Sequence, residues 1–390
     1  MYNDVLHQHI NAYQRALIRA GVTGSSIAGV FRGPETLALS SVASDLPGDV
    51  ATTENTIFPI WSMSKPITTV AMMILLDRGL YLLNDPIKHY IPNFADIQCR
   101  SADPNAGLYP CKNDLLIKHL LSHRSGYQYY EKAAGPHPAD PFLNLDEFVR
   151  HAASHPLEFE PGTHYLYGIN QAILGRLIEV LTQQDFYTFL KKEILDPLGM
   201  ADTKFFLTAD DRKRFQPLYR KCSLPVGYNM AYRIDSANTG ITTDFDVLSY
   251  SEGATTPLGG EGLVSTLTDY RKFCEMLLNG GAYLGQRMIS KTAFDTMTTV
   301  VTPHSVQDGA YDLGFGYAFS LFVLEEPLLE GTGAPAGIFG WSGYHNTHFW
   351  IDRHNDLFGV FLTRTTPDSS VINKQFRAAV YRGLNNASAT

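Results

Sequence analysis

Long apolar runs are missing from this chain: no uninterrupted stretch approaches the roughly 20 residues that a membrane-spanning helix needs. A dense lysine and arginine stripe is missing too. With a net charge of −8, that argues against nucleic acid as a partner. Cysteine is scarce. Cys99, Cys111, Cys222 and Cys274 are too few and too scattered for a disulfide scaffold, and none has the Cys-x-x-Cys spacing of a zinc site. Free or buried thiols are expected. Cys99 and Cys111, which bracket a loop holding Asp103, Pro104, Asn105, Gly107 and Pro110, are the pair an oxidising compartment would join. There is no Gly-x-Ser-x-Gly elbow, which argues against an α/β-hydrolase. Neither Gly-x-Gly-x-x-Gly nor a P-loop occurs, so no nucleotide cofactor is implied. His119 and His123 stand four apart at helical spacing, but no glutamate follows the first as a hydrolytic zinc motif requires. No metal and no other cofactor is expected. Internal repeats and low-complexity tracts are likewise lacking.

What is present fits a globular enzyme. Hydrophobic residues make up 44% and charged residues 18%, enough to bury a large core. At 390 residues the chain exceeds the usual single-core limit, so two lobes are expected. Residues 1–20 mix Asp4, His7, His9, Gln14, Arg15 and Arg19 with apolar residues at helical spacing. That pattern predicts an amphipathic helix and not a signal peptide, and with it a cytoplasmic location. Strands are predicted over 26–31 and 36–42 with a Gly33-Pro34 turn between them, then again over 316–323, 348–352 and 357–363. Between them, from Ser62 to about Phe245, the pattern is mainly helical, with helices over 64–79, 114–122, 144–153, 169–183 and 184–195, and a last amphipathic helix covers 369–384. The predicted fold is α+β. An antiparallel sheet built from both termini (1–60 and 246–390) is flanked by helices and carries a mainly helical inserted lobe (61–245), with the site in the cleft between them.

The most informative motif is Ser62-Met63-Ser64-Lys65, the one Ser-x-x-Lys in the chain, behind the apolar run Ile57 to Trp61 and ahead of a predicted helix. A serine at a helix start lies near free backbone N–H groups and the positive end of the helix dipole. Lys65, one turn on, shares its face. Pro66 fits the first turn, where a missing N–H costs little. Lys65 serves as a base only in its neutral form, which burial favours. A serine nucleophile also needs a second proton carrier and donors for the oxyanion. Of 21 tyrosines, Tyr167 stands in Pro161-Gly162-Thr163-His164-Tyr165-Leu166-Tyr167-Gly168, a turn leading into a helix, where a side chain can point into a cleft. Gly340-Trp341-Ser342-Gly343-Tyr344 lies between two strand signals, and its small residues let a backbone N–H approach a substrate carbonyl.

These residues resemble the β-lactamase-like serine hydrolases, the family of class C β-lactamases, DD-peptidases and family VIII carboxylesterases. The resemblance runs from about Ser26 to Arg364. It covers the nucleophile helix with the Asp85-Pro86-Ile87 and Tyr90-Ile91-Pro92 loop, and Leu120-Leu121-Ser122-His123-Arg124-Ser125-Gly126. It continues through the Pro161-Gly162-Thr163 block with Tyr167 and the Gly259-Gly260-Glu261-Gly262-Leu263-Val264-Ser265-Thr266 block. It implies a β-lactamase/transpeptidase-like fold, Ser62 as nucleophile, Lys65 and Tyr167 as the base pair, and an oxyanion hole from the N–H groups of Ser62 and Tyr344. In related esterases the loop after Ser125-Gly126 borders the cleft. Of Tyr127, Tyr129 and Tyr130, Tyr127 is the expected wall residue.

Two departures bear on substrate. Ile169 stands where class C β-lactamases have the asparagine of Tyr-x-Asn, and Trp341-Ser342-Gly343 stands where they have Lys-Thr-Gly. Lys291-Thr292 and Tyr344-His345-Asn346 match those motifs only by coincidence. Losing the lysine removes the cation for a β-lactam carboxylate, while Trp341 offers an apolar wall, as in the esterases. Hydrolysis of a small-molecule carboxylic ester of short to medium chain is therefore expected, with Ile169, Trp341, Ser342 and Gly343 lining the substrate site. The alternatives are an acyltransferase, a β-lactamase or D-amino-acid peptidase, and a catalytically dead binding protein.

Overall fold

The computed structural model describes residues 2–103, 105–129, 142–221, 240–242, 253–304 and 313–388. Its first helix, α1 (Asp4–Arg19), is capped by Asn3, whose side chain accepts from the Leu6 N–H at 2.9 Å, and it buries Leu6, Ile10 and Gln14. The hairpin β1 (Ser26–Arg32) and β2 (Glu35–Val42) follows, turning through Gly33 at φ +51°. Five C-terminal strands complete the sheet: β3 (Phe315–Tyr317), β4 (Phe322–Leu324), β5 (Phe339–Ser342), β6 (His348–Asp352) and β7 (Leu357–Thr363). Their order is β3-β4-β5-β6-β7-β1-β2, antiparallel throughout. Pairing of Ser26 with Thr363 and of Arg32 with Leu357 joins the two ends of the chain.

Both faces of the sheet are covered, so its strands are apolar on both sides. Ala28, Val30, Trp350 and Phe361 face α1 and the last helix, α5 (Ser370–Ser388), where they meet Leu6, Ile10, Phe376 and Val380. Ile27, Phe31, Phe349, Ile351 and Phe358 join the larger core with α2 (Ser64–Asp77), α3 (Asn170–Thr182) and α4 (Leu267–Leu278). Every residue of α2 from Ser64 to Leu75 is buried, so this helix is central and enclosed all round.

Several elements differ from the sequence expectation, each for a local reason. The predicted strand over 316–323 is two strands, because the Ala318 N–H bonds the Leu321 carbonyl at 2.8 Å and Ser320 turns at φ +52°. The predicted helix over 114–122 shrinks to Ile117–Leu121, since Leu115 and Leu116 pair instead with the chain at Pro86 and Ile87. The one over 184–195 is Phe186–Leu190 continuing through a π turn, Lys191–Leu195, to Leu198. The helical region also carries a hairpin, Gln98–Arg100 with Leu108–Pro110. That hairpin overturns the free-thiol expectation: it sets the Cα atoms of Cys99 and Cys111 5.3 Å apart, and the two form a disulfide. Cys274 is buried and free. Cys222 and Tyr130 lie outside the described residues. No described helix is long and apolar enough to cross a membrane.

Candidate active site

Ser62 lies on the 3-10 turn Trp61–Met63 that runs directly into α2. Trp61 has φ +45°, a conformation costly for a bulky residue. Its surroundings hold it there: the indole N–H donates to His345 Nδ1 at 2.8 Å, and the ring packs edge-on against Tyr344 and His345. Burial keeps His345 neutral, well below the usual histidine range, with Arg364 adding to the effect. The start of the turn is pinned as well, by the Ile60 N–H on the Leu263 carbonyl at 3.0 Å.

Lys65 is completely buried beneath Ser62. Its Nζ donates to Ser62 Oγ at 3.0 Å, to the Tyr129 hydroxyl at 2.8 Å and to the Gly260 carbonyl at 2.7 Å. Three acceptors match the three N–H bonds of an ammonium. A Cβ at Gly260 would stand 3.3 Å from Lys65 Nζ, tighter than an ordinary contact, so glycine leaves the amine room there. The Tyr167 ring lies under the ammonium, 4.7 Å from Nζ to centroid. The Tyr167 hydroxyl accepts from Trp341 Nε1 at 3.3 Å.

Tyr129 is the hub of the cluster. Its hydroxyl meets Lys65 at 2.8 Å, and its ring stands edge-on to Tyr167 at 5.2 Å between centroids. Burial foremost, then Tyr167 and Glu261, push this phenol well above its usual range, while Ser62 pulls the other way. It therefore stays protonated and can donate. The segment carrying it turns at Gly126 (φ +93°) and crosses so close to Gly168 that a Cβ there would sit 2.2 Å from the Tyr127 carbonyl. Behind Tyr167, His123 is buried and neutral, held far below its usual range by burial and by Lys65. Asn170 accepts from the Ser125 hydroxyl, so its amide donates to His123 Nδ1 at 2.9 Å, which leaves Nε2–H for Ser320 Oγ at 3.3 Å. His123 thus props the Tyr167 ring, 4.8 Å between centroids.

The structure brings Ser62, Lys65, Tyr167 and Trp341 together, and it leaves three of the expected lining residues aside. Tyr127 is a correction: it is 3% exposed and packs against Phe94 in the core, and Tyr129 is the tyrosine of that segment that reaches Lys65. Ile169 is 5% exposed and also belongs to the core, at the start of α3. The Ser342 side chain is on the opposite face of the sheet from Trp341, bonded to His348 Nδ1 at 2.8 Å and Asn373 Nδ2 at 3.1 Å. Gly343 meets the Ile60 backbone so closely that a Cβ would lie 2.4 Å from its carbonyl. The next residue, Tyr344, lays its ring on Trp61 beside the Ser62 turn. Asn346 of the coincidental Tyr-x-Asn donates to the Thr365 and Pro367 carbonyls instead.

Tyr129 and Glu261 were not singled out from sequence. Tyr129 stood in a tyrosine cluster on irregular backbone. Glu261 was the one charged residue in the Gly259 to Thr266 block, a signal that was legible. His119 caps its helix by accepting from the Leu116 N–H, and burial lowers it to about 4. The cluster of potential metal ligands among the described residues is Cys99, Cys111 and Glu160, whose sulfurs are bonded to each other.

A sequence profile of the Beta-lactamase family matches residues 10–382. Protein Rv1367c of Mycobacterium tuberculosis is 28% identical over 374 residues, covering 92% of this chain and 90% of that protein. Esterase EstB of Burkholderia gladioli is 26% identical over 341 residues, covering 84% and 83%. Among solved structures, EstCE1, described as a hydrolase with promiscuous acyltransferase activity, superposes with a TM-score of 0.79 at 20% identity, covering 97% of this chain and 99% of that one. With a match over nearly its whole length, this chain belongs to the Beta-lactamase family of serine hydrolases.

Proposed function

We propose that the protein cleaves short- to medium-chain carboxylic esters through an acyl-Ser62 intermediate, without a cofactor. The observation that carries the reading is the Lys65 contact: a buried amine nitrogen 3.0 Å from the Ser62 hydroxyl. Neutral Lys65 takes the Ser62 proton as Oγ attacks the ester carbonyl. The N–H groups of Ser62 and Tyr344 receive the negative oxygen. The proton returns to the departing alcohol from Lys65 by way of the Tyr129 and Tyr167 hydroxyls. Water then attacks the acyl-enzyme and the same groups run in reverse.

The preference for a neutral ester rests on Trp341, an indole bonded to Tyr167 where the β-lactamases carry a lysine. Similarity to esterase EstB supports it. Transfer of the acyl group to an alcohol in place of water is the second reading, supported by the likeness to EstCE1. Losing charged or polar contacts to a β-lactam carboxylate costs about 1.5–3 kcal/mol each. For the lysine replaced by Trp341 that is a factor of roughly 10–10² at ~1.4 kcal/mol per tenfold. An aryl butyrate should therefore exceed a cephalosporin in kcat/KM by at least that range, and Trp341→Lys should narrow the gap. Equal efficiency on both substrates replaces the esterase reading with a β-lactamase. Added methanol that yields the methyl ester faster than the free acid favours the acyltransferase.

A further inference from the structure

Lys65 is not the only buried charge under Ser62. Glu261, next in the chain to the carbonyl that accepts from Lys65, is 3% exposed and brings Oε2 to 3.7 Å from Lys65 Nζ. Its other oxygen, Oε1, finds no hydrogen-bond partner among the described residues. A buried carboxylate with one oxygen unpartnered is costly unless a cation faces it. Lys65 is that cation. Burial pushes the Glu261 carboxyl up and Lys65 draws it down.

The titratable groups facing this pair come from every element packed around it. They are Tyr129 from the segment after Gly126, Tyr167 ahead of α3, and His123 behind the helix Ile117–Leu121. Tyr129 and His123 are held neutral by burial, so neither offsets the charge of Lys65. The phenols and the imidazole can orient the amine; Glu261 alone among these groups can hold it as a cation.

We propose that Glu261 is a positioning residue for Lys65. Its carboxylate keeps the lysine in the ammonium form in the resting enzyme, with three donors spent on Ser62, Tyr129 and Gly260, and so sets the pH at which Lys65 becomes free to take the Ser62 proton. This rests on the reading of Ser62 and Lys65 given above. In the resting pair Lys65 carries the extra proton and Glu261 the negative charge. One proton first leaves Lys65 for solvent. The Ser62 proton then passes to Lys65 Nζ as the bond from Oγ to the acyl carbon forms. Lys65 Nζ then passes a proton along the Tyr129 and Tyr167 hydroxyls, and the alcohol oxygen receives one as the acyl C–O bond breaks. The acidic limb of the pH profile thus belongs to the lysine and glutamate as a pair.

The sign is fixed by charge. An anion beside Lys65 extends the ammonium form to higher pH, so removing the anion moves the acidic limb of kcat/KM to lower pH. Glu261→Gln keeps the volume and loses the charge. The limb should fall by roughly one to three pH units, the range for an opposite charge within ~4–6 Å. Glu261→Asp, which keeps the charge but withdraws it by one methylene, should move it the same way by less. The assay is kcat/KM for an aryl butyrate across the acidic limb, with circular dichroism confirming the fold of each variant. A limb that stays within about 0.3 pH unit of the parent in the folded variants overturns the proposal, whatever happens to the plateau rate. If Glu261→Gln does not fold, Glu261→Asp decides by the same criterion. Ser62→Ala is measured beside them: retained turnover there sinks the nucleophile reading itself. A dead Ser62→Ala enzyme with an unmoved limb in the Glu261 variants sinks only this inference.

Discussion

Removing one oxygen, by Tyr129→Phe, tests the arrangement under Ser62. The ring stays, edge-on to Tyr167 at 5.2 Å, so packing is preserved. What goes is the hydroxyl 2.8 Å from Lys65 Nζ. A hydrogen bond to a charged group contributes about 1.5–3 kcal/mol, which in the transition state amounts to roughly 10–150-fold. Loss of a proton carrier adds to this and brings the expected fall in kcat to about 10²–10⁴ with little change in KM. Tyr167→Phe keeps the ring beneath Lys65 but cuts the chain of hydroxyls one link on, and it should fall in the same range. Because the two phenols and Lys65 act as a unit, the double variant should be little worse than the worse single one. Steady-state hydrolysis of an aryl butyrate measures all three. Tyr129→Phe retaining more than about a tenth of parental kcat would remove that phenol from the proton path and return the role to Tyr167 alone.

Two further outcomes follow from burial. The Tyr127 hydroxyl is enclosed and finds no partner among the described residues, so Tyr127→Phe should leave the denaturation midpoint unchanged or raise it and keep activity, whereas Tyr127→Ala should cost about 3–5 kcal/mol through the cavity left behind. A destabilised Tyr127→Phe would contradict this placement. His119 is held down to about 4 from 6.5, and burial also drives His123, His345 and His348 well below the usual range. Each stabilises the fold as a neutral ring. That stability is complete above the unfolded value near 6.5 and is lost as pH falls toward 4, on the order of 3 kcal/mol for His119 alone. Tm should be flat above neutrality and drop on acidification; a Tm that rises between pH 6.5 and about 4.5 would refute it.

Regular, locally encoded parts were legible in the sequence. β6 and β7 fall where short runs of aromatic and aliphatic residues put them, and α2 follows from the apolar run after Ser62. Ser62 and Lys65 were legible because one helical turn fixes their geometry whatever surrounds it. Contacts made by irregular backbone were not. Tyr127 and Tyr129 are two residues apart and similar in sequence context. Which one enters the core depends on the turn at Gly126 and on Gly168 admitting the chain, and no periodicity reports either. The disulfide depended on two three-residue strands too short to leave a pattern. Ile169 and Ser342 were placed by motif position alone. The first turn of α3 buries one, and the alternation of β5, which points Trp341 to Tyr167, turns the other away.

The central claim is that an ester acyl group becomes bonded to Ser62 Oγ. Brief incubation with an aryl butyrate, acid quench and intact-mass measurement, followed by peptide mapping, tests it directly. The account predicts an added butyryl group on the peptide holding Ser62, absent from Ser62→Ala, with turnover lost by several orders of magnitude and Tm nearly unchanged. An acyl group on another residue, or a Ser62→Ala enzyme that still turns over ester at more than about a tenth of the parental rate, would contradict it.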